Sequence, residues 1–438
     1  MAVTELMPHT EPYQVVDRAE RAFPAWAATV PAERGARLHR AADAMAARLD
    51  DLAEANHADT GRPRDEARAS VEAGIGTLRQ YAELGPLHRG RALQGGWNAT
   101  DLMIPQPRGV VVALTPWNDP VPVACGLLGA ALVTGNTAVH KPSERACRTG
   151  ALLAELLAEA LPEDVVQTVF GAGEVGAALA ANPHVAVVAH VGSTHTGRSI
   201  AMAAAATGAK ALLENGGNDA AIVDCDVDPA WAAAQVALGA YANGGQVCTS
   251  VERVFVHQDV AAPFLDALVK EAERWNDTLC PLVDANHRAG VHRQVTDAVS
   301  AGATLATGGT LPSGAGSWYP ATVLTDCTPV MSVMTEETFG PVAPVMVVPD
   351  FAEGLALAAE DRHGLAASVF TADMANAQRA WRTLDVGTVK VNAVFGGAPG
   401  GAAQPRRLSG TGFGYGPELL DEMTTTKVVH LSPPGGAP

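Results

Sequence analysis

No run of apolar residues in this chain is long enough to cross a membrane as a helix. Its longest candidates, such as Gly129 to Val133, stop at Thr134-Gly135-Asn136. Basic residues are also scarce: 30 Lys and Arg face 47 Asp and Glu, for a formal charge of −17. Nucleic acids and anionic membranes are bound through basic patches, so neither is an expected partner, and a solvated acidic surface accounts for the charge. Cysteine is sparse and scattered over positions 125, 147, 225, 248, 280 and 327, with no Cys-x-x-Cys pair. That excludes a zinc ribbon or a disulfide framework; reduced, mostly buried thiols and no metal site are expected. The N-terminus, Met1 to Tyr13, lacks the basic-then-apolar form of a signal peptide, so a cytoplasmic location is expected. There is no internal repeat.

What is present is a globular composition, 47% apolar and 18% charged over 438 residues, enough for two or three domains. From Val15 to about Gly85 the apolar residues recur at helical spacing, with a break at Gly61-Arg62-Pro63. From Val110 short apolar strands alternate with Ala-rich helices. Strands are expected at 110–114, 137–140, 165–170 and 185–191, and a second set at 220–223, 254–256, 342–348 and 388–391. The segment 424–431 reads as a final strand, Gly396 to Pro405 as a loop and Pro433 to Pro438 as a loose end. Alternation of this kind predicts an α/β fold with parallel strands under helices, and ligands beyond the carboxyl ends of the strands.

Cys248 lies in Gly244-Gly245-Gln246-Val247-Cys248, just before an apolar strand. Upstream stands Glu214, in Glu214-Asn215-Gly216-Gly217, read as delivered on a second glycine loop. A thiol and a carboxylate brought together in this way can form and hydrolyse a covalent acyl-enzyme. A buried core thiol is the plainer reading of any single cysteine. Asn118, after Pro116-Trp117, offers an amide N–H to an oxyanion, or merely makes the turn before Pro120.

Gly171-Ala172-Gly173-Glu174-Val175-Gly176 spells a dinucleotide fingerprint. The next strand ends in His190-Val191-Gly192, with no acid to hold a ribose, so a tight strand-to-helix turn is the better reading. Gly192-Ser193-Thr194-His195-Thr196-Gly197 opens a helix and suits a pyrophosphate, though a plain N-cap explains it equally. Lys141 and Glu144 could hold ribose hydroxyls, or be an exposed pair at a helix start. A carboxylate at that place would repel a 2′-phosphate and favour NAD over NADP.

Taken in order, Pro116-Trp117-Asn118, Lys141-Pro142-Ser143-Glu144, Gly192-Ser193-Thr194-x-x-Gly197, Glu214-x-Gly216-Gly217, Gly245-Gln246-x-Cys248, Glu336-Glu337-x-Phe339-Gly340-Pro341 and Ser409-Gly410 resemble the NAD(P)-dependent aldehyde dehydrogenase superfamily. The resemblance implies an aldehyde dehydrogenase-like α/β fold with a Rossmann-like cofactor domain, an α/β catalytic domain and a small β oligomerisation element. The expected division is 1–87 with 108–215 for NAD, 216–405 for catalysis, and 88–107 with 424–434 as oligomerisation strands.

The resemblance also implies roles. Cys248 is the nucleophile, Glu214 the general base, and Asn118 the oxyanion donor together with the Cys248 backbone N–H. Trp117, Lys141, Glu144, Gly192, Ser193, Gly197, Glu337 and Phe339 would contact NAD. An aldehyde substrate and a homodimer or homotetramer follow. A CoA-acylating dehydrogenase is the nearest alternative, disfavoured by Glu214; a non-catalytic protein on the same fold is disfavoured by the complete Cys248, Glu214 and Asn118 set. The resemblance starts near Val15. Departures from the family pattern fall at Asp119, His190-Val191, Asn215, Asn218 and Phe395 to Arg407. A free Asp119 carboxylate would disfavour anionic aldehydes and welcome cationic or hydroxylated ones.

Overall fold

The computed structural model describes residues 11–397 and 401–434. Most of Met1 to Tyr13, part of the Gly396–Pro405 loop and the last residues of the tail lie outside this range. Helices α1 (Pro12–Ala28), α2 (Pro31–Ala47), α3 (Leu49–Thr60) and α4 (Arg64–Leu84) form where helical periodicity predicts them. The break is real: Gly61 caps α3 with φ 73°, a left-handed backbone that glycine adopts without strain. Strands β1 (Arg91–Leu93) and β2 (Thr100–Pro107) follow.

Next come β3 (Val110–Thr115), α5 (Pro120–Val133), β4 (Thr137–Pro142), α6 (Cys147–Ala160), β5 (Val166–Thr168), α7 (Gly173–Ala180), β6 (Val185–Val191), α8 (Thr194–Thr207) and β7 (Lys210–Glu214). Every residue of β3 and β4 is buried, as expected of central parallel strands covered on both faces. Helices α2, α4, α5 and α6 pack on one face of this sheet, and α1, α7 and α8 on the other.

The second unit contains β8 (Asp219–Val223), β9 (Val251–His257), β10 (Thr304–Thr307), β11 (Thr322–Thr325), β12 (Val342–Val348), β13 (His363–Gly364), β14 (Ala366–Phe370) and β15 (Thr388–Val391). The chain closes with β16 (Arg406–Arg407), β17 (Gly410–Thr411) and β18 (Thr424–Leu431). The first sheet runs β17-β7-β6-β3-β4-β5, parallel except for β17; the second runs β10-β11-β12-β9-β8-β14-β15, parallel except for β10. A third sheet, β1-β2-β18, joins the hairpin after the helical layer to the tail.

Register explains where a site can form. In the first sheet Leu114 pairs with Lys141 and with His190, and Val191 pairs with Glu214, so the carboxyl ends of four strands lie level. In the second sheet Asp219 pairs with Val251, which brings Gly216-Gly217 and the Cys248 loop together at the amino ends of β8 and β9. The two sets of strand ends face a common cleft.

Candidate active site

That cleft encloses about 990 Å³. Its walls include Cys248, Glu214, Asn118, Trp117, Lys141, Glu144, Gly192, Ser193, Glu337 and Phe339. Gly197 alone of the predicted residues is elsewhere. It is buried inside α8, where a Cβ would lie 2.0 Å from Asn215 Oδ1, so its lack of a side chain serves helix packing and not the cleft wall.

Cys248 is presented by a tight left-handed run: Asn243 (φ 51°), Gly244 (φ 64°) and Gly245 (φ 73°) turn the chain before Gln246. At Gly245 a Cβ would also come within 2.2 Å of the Gly340 carbonyl, so that position tolerates only glycine. The thiol is half-buried. Burial pushes its pKa well above the ordinary thiol value, and the carboxylates of Glu214, Asp219, Asp119 and Glu337 push the same way. A thiol in this setting stays protonated until a proton acceptor takes its hydrogen.

Glu214 is not on a loop. It ends strand β7 and pairs there with Gly410 of β17. Desolvation raises its pKa, and its carboxylate occupies the space left by Gly414, where a Cβ would stand 2.4 Å from Oε2. Asn118 Nδ2 donates to the Gln246 carbonyl at 3.1 Å, tying the end of β3 to the Cys248 loop. The amide carries a second N–H. The Cys248 backbone N–H has no hydrogen-bond acceptor among the described residues.

Glu337 lies against the glycines: its Oε1 accepts the Gly217 N–H at 3.2 Å, and burial pushes its pKa up to about 8. Phe339 (φ 51°) makes an edge contact with Trp117, with ring centroids 5.7 Å apart. Phe339 and its neighbour Thr338 are held by a residue that sequence reasoning passed over. Glu252, four residues beyond the thiol, is buried and accepts the backbone N–H groups of Thr338 and Phe339, each at 3.0 Å. Desolvation pushes its pKa up to about 7 despite those bonds.

At the other end of the cleft, Ser193 is the N-cap of α8, its Oγ accepting the Thr196 N–H at 3.3 Å. The loop therefore offers backbone N–H groups and the helix dipole to an anion while its hydroxyl is already used. Lys141 is buried, with Nζ 3.7 Å from Glu144 Oε2, and desolvation lowers its pKa. Gly173 and Gly176 line the same wall, and α7 begins inside the Gly171–Gly176 motif, which is thus a strand-to-helix turn. His190 also faces the cleft; neither ring nitrogen has a partner among the described residues, and burial pushes its pKa down to about 4. A long anionic cofactor carrying hydroxyls fits these groups: an open helix N-terminus, the buried Lys141 ammonium and an unsatisfied buried imidazole as donors, and the Glu144 carboxylate as an acceptor.

One oxygen of the Asp119 carboxylate, Oδ1, is already engaged. It accepts from Arg62 at 3.0 Å and from Ser70 at 2.6 Å. Arg62 offsets part of the negative charge on which the expected preference for cationic or hydroxylated aldehydes rests. Elsewhere, Asp224, Cys225 and His257 bring metal-type donor atoms together at the ends of β8 and β9. Two of the three are hydrogen-bonded within the fold: His257 Nδ1 accepts the Asp259 N–H, and Asp224 accepts from Thr371, Asn376 and the Cys225 N–H.

Comparison with known proteins bears on the family and the fold. The model of the aldehyde dehydrogenase family matches residues 5–429, so the match begins before Val15. Betaine aldehyde dehydrogenase 2 of Rhizobium meliloti (strain 1021) is 36% identical over 432 residues, covering 96% of this chain and 89% of that protein. Lactaldehyde dehydrogenase of Escherichia coli (strain K12) is 32% identical over 430 residues, covering 95% and 90%. A crystal structure of the Escherichia coli lactaldehyde dehydrogenase superposes with a TM-score of 0.93 over 97% of this chain and 91% of that one, at 32% identity. Betaine aldehyde dehydrogenase from Staphylococcus aureus, solved with NAD+, gives 0.93 over 96% and 86% at 29% identity. The chain belongs to the aldehyde dehydrogenase family. It is an NAD(P)-dependent oxidoreductase acting on aldehydes.

Proposed function

We propose that this enzyme oxidises its aldehyde to a free carboxylic acid through a thioester on Cys248, with Asn118 and the Cys248 N–H as oxyanion donors and Glu214 as general base. The observation that carries this reading is the convergence of these groups from three separate segments on one cleft. The Cys248 thiol first gives up its proton to solvent; the thiolate sulfur then adds to the carbonyl carbon, and the displaced electron pair becomes an oxyanion. The free N–H of Asn118 and the unpaired backbone N–H of Cys248 are the available donors for it. Bound NAD supplies the hydride acceptor whose reduction turns the adduct into the thioester. Glu214, with a raised pKa, then takes a proton from water; hydroxide attacks the thioester, the C–S bond breaks and the thiolate is restored.

The same reading makes 1–87 and 108–215 the cofactor unit, 216–405 the catalytic unit, and 88–107 with 424–434 the oligomerisation strands. It assigns the remaining cofactor contacts to Trp117, Lys141, Glu144, Gly192, Ser193, Glu337 and Phe339, and prefers NAD to NADP because Glu144 would face a 2′-phosphate. A homodimer or homotetramer is supported by the open edge of β18, where Val428 and Leu431 are exposed. A cytoplasmic setting is supported by six unpaired cysteines. The test is product analysis with NAD, with and without CoA. Free acid formed without CoA supports the reading; a CoA requirement overturns it.

A further inference from the structure

Arg62 stands between α3 and α4, far in sequence from every residue of the proposed chemistry, yet its buried side chain reaches two of the segments that make up the site. Nη2 donates to the Asn118 carbonyl at 3.0 Å, Nη1 to Asp119 Oδ1 at 3.0 Å, and Nε to Asn243 Oδ1 at 3.3 Å. Asn243 Nδ2 in turn donates to the Gln246 carbonyl at 3.1 Å, the same oxygen that accepts from Asn118 Nδ2 at 3.1 Å. These bonds close a ring: Arg62 to Asn118, Asn118 to Gln246, Gln246 to Asn243, and Asn243 back to Arg62. The ring holds the oxyanion donor at a fixed offset from a residue two positions before the thiol.

Guanidinium chemistry explains why arginine is used. A planar fork can serve three acceptors in fixed directions, while an ammonium acts as a point charge. Asp119, braced by Ser70, balances the charge and keeps the fork oriented. Asn243 sits at φ 51°, and among the described residues its Oδ1 accepts from Arg62 and, at 3.5 Å, from the weak donor Cys280 Sγ alone.

We propose that Arg62 is a positioning residue that sets the geometry between Asn118 and Cys248; the inference rests on the catalytic reading above. Wild type, Arg62→Gln, Arg62→Lys, Asn118→Ala, Cys248→Ala and the Arg62→Gln/Asn118→Ala pair would be compared in three assays. These are aldehyde turnover with NAD, cofactor-free hydrolysis of p-nitrophenyl acetate, and alkylation of Cys248 by iodoacetamide. The first two build an oxyanion; alkylation does not.

Arg62→Gln is expected to lower kcat and ester hydrolysis by roughly 10- to 100-fold, the usual cost of a misplaced catalytic group. KM for NAD and the alkylation rate stay at the wild-type level, and Arg62→Lys recovers part of the loss. The pair loses no more than Asn118→Ala alone, because Arg62 acts through Asn118. Wild-type rates in Arg62→Gln, full additivity in the pair, or an equal loss of alkylation would each overturn the inference. If Arg62→Gln does not fold, Arg62→Lys carries the test, since it keeps the charge and loses the fork. Turnover that survives Cys248→Ala would instead sink the catalytic reading itself.

Discussion

The two sheets face the cleft with opposite ends. The first presents the carboxyl ends of β3, β4, β6 and β7, so its cleft residues follow their strands. The second presents the amino ends of β8, β9 and β12, so Gly216-Gly217, Cys248 and Glu337-Phe339 precede theirs. On the first wall, Lys141 and Ser193 are placed by local strand-to-helix turns. Other positions are imposed from a distance: on the second wall Glu252 holds Thr338 and Phe339, while on the first Gly414 leaves room for Glu214 at the end of β7 and Arg62 ties Asn118, after β3, to Asn243 near Cys248. The difference separates binding, which a turn and a helix dipole can support, from chemistry, which needs several segments fixed against one another.

Mutations can break this comparison where it is strongest. Cys248→Ala is expected to cut aldehyde-dependent NADH formation on the order of 10⁴-fold or more, since no other group can carry the acyl chain. NAD binding, followed through Trp117 fluorescence, is expected to persist. Asn118→Ala is expected to cost about 10²- to 10³-fold in kcat. Gly414→Ala pushes against the flexible end of Glu214. It is expected to slow acid release about tenfold, through a misplaced base, with little change in thermal stability. Rapid-mixing kinetics would show this as an NADH burst followed by a slower steady state; loss of the burst itself would count against the role given to Glu214.

Acidity sharpens the contrast. Burial raises the thiol pKa and Glu214 is the largest neighbouring charge acting the same way, so the thiolate is populated only at high pH. The rate of iodoacetamide alkylation should thus keep climbing beyond the ordinary thiol range. Glu214→Gln removes one negative charge beside the sulfur and is expected to move the profile to lower pH while turnover falls. A profile that stays in place would show that the two groups do not interact. The smallest effect is expected on the first wall, where Glu144→Ala should improve NADP use relative to NAD only a few-fold, as fits a half-exposed charge.

The unequal legibility of the sequence follows from the same difference. The strand expected at 424–431 and those at 185–191 and 342–348 have the bounds read from their apolar runs, because β-branched residues fill them. Strand β7 was hidden: Lys210-Ala-Leu-Leu-Glu214 follows an Ala-rich helix and has no β-branched residue, so Glu214 looked like a loop residue. Gly197 sits inside a motif suited to phosphate, and only packing against Asn215 reveals its different use. Arg62 reads in sequence as part of a helix break. Nothing within several residues of it signals that its partners lie at 118, 119 and 243, since those contacts form only in the folded chain, and the one to Asn243 only once the two sheets have met.

The central claim is a hydrolysable acyl group on one sulfur, and intact-protein mass spectrometry of Glu214→Gln tests it directly. After a single turnover with NAD and a simple aldehyde, the protein should gain one acyl mass, mapped by proteolysis to the peptide carrying Cys248. An acyl mass on another residue, or NADH formed with no adduct in either Glu214→Gln or the wild type quenched in acid, would contradict the account.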